Sequence, residues 1–95
     1  MNTLCIPRVF SNISKQFIKN IINKYKLGVV DSIEIIHKKT DKGIHYKCVF
    51  IHLKWFNSEN AIYAKQRFLD GKDIKIIYSE PFYWKINSVN NQILI

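Results

Sequence analysis

The run Tyr46 to Leu53, YKCVFIHL, alternates so strictly that it demands a β-strand. Val49, Ile51 and Leu53 fall on one side, and Tyr46, Cys48, Phe50 and His52 on the other. The first set has the composition of a core. The second lacks the composition of a solvated face, since it carries two aromatic rings, an imidazole and a thiol. Exposed rings in a row form a surface on which flat ligands stack.

The neighbouring segments extend this pattern. Thr3 to Val9, TLCIPRV, reads as a shorter strand with Leu4 and Ile6 on one side and Cys5 on the other. Pro7 has no N–H and limits pairing near its end. Asn12 or Ser14 can cap a helix whose apolar residues Phe17, Ile18, Ile21, Ile22 and Tyr25 form one stripe, with Lys15, Lys19 and Lys26 outside it and Gly28 at its close. Val30 to Lys38 predicts a second strand, with Val30, Ile33 and Ile35 facing inward after a slip near Asp31 and Ser32. The polar stretch Lys39 to Gly43, KTDKG, predicts a hairpin loop that makes this strand the antiparallel neighbour of YKCVFIHL. A second helix, capped by Asn57 or Ser58, carries Ala61, Ala64 and Phe68 on one face and stops at Asp70-Gly71. Ile74 to Tyr78 predicts a fourth strand. Phe82, Tyr83 and Trp84 follow as an aromatic cluster ahead of an Asn-rich tail ending in QILI.

The order βαββαβ with right-handed crossovers predicts an α+β, ferredoxin-like sandwich. The third strand lies beside the first at the centre of a four-stranded antiparallel sheet, the second and fourth lie at its edges, and both helices cover one face. The other face is open and carries Cys5, Tyr46, Cys48, Phe50 and His52. Ninety-five residues suffice for one such core, expected over residues 1–80, with residues 81–95 as an aromatic extension and tail.

Fifteen Lys and Arg against seven Asp and Glu give a net charge of +8, which favours a polyanionic partner. Most of the basic residues are Lys in a chain also rich in Ile and Asn, which an AT-rich genome would equally produce. Two cysteines, Cys5 and Cys48, are too few for a disulfide-built domain and fit a reducing intracellular compartment, cytoplasm or nucleus. No charged leader precedes an apolar run, and no run approaches the roughly 18 residues of a membrane span. A soluble protein without membrane contact is the expectation.

Over about residues 3 to 78 the chain resembles the RNA recognition motif family. Leu4 to Val9, LCIPRV, stands where that family has its RNP2 hexamer, and Tyr46 to Leu53 where it has its RNP1 octamer. SKQFIKNIINKYKLG resembles its first helix and closing Gly, and SENAIYAKQRFLDGKDIKI its second helix, Gly turn and last strand. The departures are specific. Cys5 stands at the RNP2 stacking position, Tyr46 and Lys47 replace a basic residue and Gly, and of the two RNP1 stacking positions Cys48 has lost its ring while Phe50 keeps it. The strings CIPRVF and EPFYWK also resemble small RRM-like proteins encoded by large cytoplasmic DNA viruses, which implies a host-cell cytoplasm.

The resemblance implies that single-stranded RNA, or alternatively single-stranded DNA, binds on the open sheet. Phe50 and Tyr46 would stack, with His52 assisting from the same face. Arg8, Lys38, Lys75 and Lys85, on strands or their ends, would meet phosphates, whereas Lys47 is phased inward. Cys48 and His52 lie about 13 Å apart along a strand, too far to grip one metal ion. No cofactor is expected. No phosphate loop or nucleophile-base arrangement is present, so the chain reads as a binding module, not an enzyme. Loss of two family rings equally favours a protein-interaction or homodimerisation domain that uses the ring-bearing face, the helical face or the QILI terminus.

Overall fold

Alternation, capping and turn residues divide residues 2–89, which the computed structural model describes, into seven elements. These are β1 (Asn2–Phe10), α1 (Lys15–Lys24), β2 (Gly28–Lys39), β3 (His45–Trp55), α2 (Glu59–Leu69), β4 (Ile74–Ser79) and β5 (Phe82–Ser88). The strands form one antiparallel sheet in the order β2-β3-β1-β5-β4. The fold is α+β and broadly ferredoxin-like.

The expected four-stranded sheet is thus corrected to five strands. β4 lies at an edge, as the pattern predicts, but its neighbour is β5 and not β1. The segment Phe82–Ser88, read from sequence as an extension, enters the sheet because it too alternates. Trp84 and Ile86 are 2% and 0% exposed, whereas Tyr83, Lys85 and Asn87 between and beyond them are exposed. Burying two side chains of this size stabilises the strand's position by about 1.5–3 kcal/mol each.

Both helices lie on the same side of the sheet. Ile18, Ile21 and Ile22 of α1 and Ala64 and Phe68 of α2 join Leu4, Ile6, Val9, Val49, Ile51, Leu53, Ile76, Trp84 and Ile86 in one core. Ser14 and Ser58 are the caps: each Oγ accepts at 3.1 Å from the backbone N–H three residues on, that of Phe17 or Ala61. Ser58 Oγ also donates to the Lys26 carbonyl, tying the start of α2 to the end of α1. Gly71, with φ +74°, turns the chain out of α2.

Gly28 does not close the first helix. Lys26 takes the left-handed conformation there, with φ 55°, and Gly28 already belongs to β2. A Cβ on Gly28 would collide with the Lys54 carbonyl oxygen and lie 2.8 Å from Leu53 Cδ1, so glycine is required by the close approach of β2 to β3. The slip expected near Asp31 and Ser32 is a register shift between Val30 and Ser32, with Val30 before it and Ile33 and Ile35 after it packed against the core.

β1 is paired along most of its length with β3 but only briefly with β5. The β1–β5 ladder consists of Leu4 opposite Ser88 and Cys5 opposite Asn87, with Val89 N–H donating to the Thr3 carbonyl at 3.0 Å. Continued in register it would set Pro7 against Lys85, and Pro7 has no N–H to give. β1 also shifts register against β3 between Ile6 and Val9. The two strands therefore splay.

Candidate functional site

The sheet face opposite the helices is the surface that the alternation of Tyr46 to Leu53 leaves without a covering layer. Cys5 lies directly opposite Phe50 at its centre, Thr3 opposite His52, and Phe10 opposite Tyr46. β2 adds Glu34 beside Phe50 and Lys38 beside Tyr46. On the far side of β1, Lys75 of β4 faces Lys85 of β5. All nine residues expected at a binding face lie on these strands, but they form three unlike zones.

The centre is sulfur and ring. Cys48 is buried, Cys5 and Phe50 are half-buried, and the two free thiols lie 4.0 Å apart. Burial first, and then the neighbouring Cys48, push the Cys5 thiol from its ordinary 9.0 up to about 11, against a lowering by Lys38. The thiols form a floor and not a reactive pair. Phe50 is the one ring at the sheet's middle.

The β2 side is internally satisfied. His52 Nε2–H donates to Glu34 Oε1 at 2.6 Å, and in that tautomer Nδ1 accepts from the Thr3 hydroxyl at 2.8 Å. The imidazole is held by strands on both sides, and the Glu34 carboxylate gives this zone an anionic edge. Glu34 has no place in the residue set read from sequence. Its position opposite Phe50 follows from a hairpin register that alternation alone does not specify.

The side formed by β1, β5 and β4 is cationic and aromatic. The Arg8 guanidinium lies 4.4 Å from the centre of the Tyr46 ring, and Lys75 Nζ lies 4.0 Å from that of Tyr83. Lys75 and Lys85 are directly opposed on one face, a like-charge pair that costs stability unless an anion is near. Among the described residues none of Arg8, Lys38, Lys75 or Lys85 has a carboxylate within ion-pair distance. Lys47 points inward as its phase requires, donating from Nζ to the Ile13 carbonyl at 2.6 Å.

Rings that the sequence pattern leaves unassigned complete this zone. Phe10 meets Phe82 edge-on at 5.8 Å, and each is about half exposed, at 55% and 49%. Of the cluster Phe82, Tyr83 and Trp84, only Trp84 turns to the core, where it stacks on Tyr78 at 4.4 Å. The signal for this division was present: Tyr83, Lys85 and Asn87 alternate with Trp84 and Ile86, but three consecutive aromatics hide the period. Residues 90–95, including QILI, lie outside the described residues.

Among the described residues no group of three or more His, Cys, Asp or Glu could hold a metal ion, and no helix is long and apolar enough to cross a membrane. Compared with protein-family models, with curated proteins and with solved structures, the chain finds no match.

Proposed function

We propose that this chain is a non-catalytic, RRM-like module that binds single-stranded RNA, or single-stranded DNA of the same length, on its open sheet face. The observation that carries the reading is the interleaving of rings and unpaired cations on that face. Arg8 lies over Tyr46, Lys75 over Tyr83, and Lys85 opposes Lys75 with neither lysine in an ion pair. Cations beside exposed rings are what a flexible polyanion with flat bases recognises, the phosphates meeting charge and the bases meeting π-faces. Phe50 offers a ring at the centre, Lys38 a charge beside Tyr46, and Glu34 with His52 sets a boundary that repels phosphate on the β2 side. Duplex recognition fits less well, because the rings need unstacked bases.

The test is a fluorescence titration of labelled pools of short single strands, RNA and DNA, against the wild type and Phe50→Ala. Binding at low micromolar concentration, weakened by the variant by about 1–3 kcal/mol, is expected. No binding by the wild type at low salt would sink the proposal. Binding that ignores Phe50 would remove the centre of the sheet from the site.

A further inference from the structure

We infer that the splayed gap between β1 and β5 is a nucleotide site, in which a base of the bound strand inserts between the two strands while its phosphates lie on Arg8, Lys85 and Lys75. This rests on the reading of the face as a single-strand binder and places the base away from the β1–β3 centre where the family resemblance would put it.

The gap is a groove of about 430 Å³, within the range of small-ligand pockets, roughly 300–1,000 Å³. Its walls include Arg8 and Phe10 on one strand and Phe82, Tyr83 and Lys85 on the other. Phe82 continues into Tyr78 and Trp84 as a column of near-parallel rings, with interplanar angles of 27° and 19° between successive members. Phe10 touches Phe82 by its edge, so about half of the Phe82 surface stays open. A flat ring entering the groove therefore meets aromatic surface that nothing else covers. Guanidinium and ammonium groups stand at the rim, and no acidic residue lines it.

Charge and backbone together select the occupant. A peptide strand filling the gap would need ladder partners on both sides, but Pro7 has no N–H and the register shift between Ile6 and Val9 breaks the pleat there. An apolar partner or a second copy of this chain, itself at +8, would leave the opposed Lys75 and Lys85 uncompensated. A single strand of nucleic acid supplies a flat ring and an anion in every nucleotide. The central positions are poorer hosts, since Cys48 is buried and Glu34 stands beside Phe50.

The experiment compares wild type, Phe82→Ala, Lys85→Glu and Phe50→Ala for binding of labelled single-stranded RNA and DNA pools. Light scattering is run on the same samples. Phe82 and Lys85 are exposed, so the fold survives their substitution, which a thermal melt checks. The expected result is a loss of about 5- to 150-fold for Phe82→Ala, with a comparable or larger loss for Lys85→Glu that shrinks at high salt. Should Phe82→Ala fail to fold, Lys85→Glu alone decides. Wild-type binding that depends on Phe50 but ignores both groove variants would overturn this inference and leave the wider reading standing. No wild-type binding would end both. A concentration-dependent dimer that Phe82→Ala dissolves in the absence of nucleic acid would assign the groove to a second copy and overturn the inference as well. Equal losses with RNA and DNA place recognition in base and phosphate, whereas RNA preference adds the 2′-hydroxyl.

Discussion

Cys5 illustrates how one position is governed by its neighbours across the strand. Its thiol is half-buried opposite Phe50 and 4.0 Å from Cys48, and its pKa is pushed from 9.0 to about 11 chiefly by loss of water. The folded state thus holds this proton more tightly than the unfolded chain does. The contribution to stability is full below pH 9 and is lost as pH climbs toward 11. Denaturant melts between pH 8 and 11 should show a steeper decline for the wild type than for Cys5→Ala, and equal declines would refute the account. The same shift predicts slow alkylation at neutral pH, because the thiolate is the reactive form. At this scale the sequence narrowed each cap to two residues, Asn12 or Ser14 and Asn57 or Ser58, and the serine is the one whose hydroxyl accepts the backbone N–H. It was silent where two strands meet: nothing local to Glu34 says that it faces Phe50 and binds His52.

Among the elements, β5 is the one whose existence the pattern obscured. Residues Ile74–Ser79 and Phe82–Ser88 are two alternating runs around a tight turn at Glu80 and Pro81, which is a hairpin signal. The run of three aromatics overrode it. Trp84 anchors that hairpin to the core, so Trp84→Ala should cost about 3–5 kcal/mol in chemical denaturation. Trp84→Phe should cost clearly less, because the buried indole Nε1 has no hydrogen-bond partner and its removal relieves a penalty while most of the ring volume stays. Equal losses in the two variants would refute this account, since the retained ring would then recover nothing. The helices and β3 were legible for the opposite reason, since Ala61, Ala64 and Phe68, or Val49, Ile51 and Leu53, repeat one period without interruption. Gly28 was read as the close of the first helix, and its place in β2 was hidden because the Lys54 carbonyl that excludes a Cβ lies on another strand.

Across the whole molecule, the net charge of +8 is not spread evenly over the sheet face. On β2 the Glu34 carboxylate stands alongside the unpaired Lys38, whereas only unpaired cations occupy the side of β1, β5 and β4. Three of them, Arg8, Lys75 and Lys85, stand together. Affinity for a single strand should therefore fall with salt along a log-log slope of about −2, the value for three neutralised phosphates. A slope near zero in titrations from low to moderate salt would exclude a phosphate-led interaction. The layer arrangement was predictable from the βαββαβ pattern, because two amphipathic helices and alternating strands have few ways to bury their apolar sides. Which edge of the sheet carries the charge was not, since it depends on where β5 enters.

The short β1–β5 ladder has a further consequence for motion. The β4–β5 hairpin is held against β1 mainly by the side chains of Trp84 and Ile86 and only at one end by backbone pairs. Amide protons along the splayed edges can then exchange with solvent through small local openings, without the global unfolding that releases those of β3. A ligand seated there would slow this exchange on both strands at once, acting as a peg that closes the sheet.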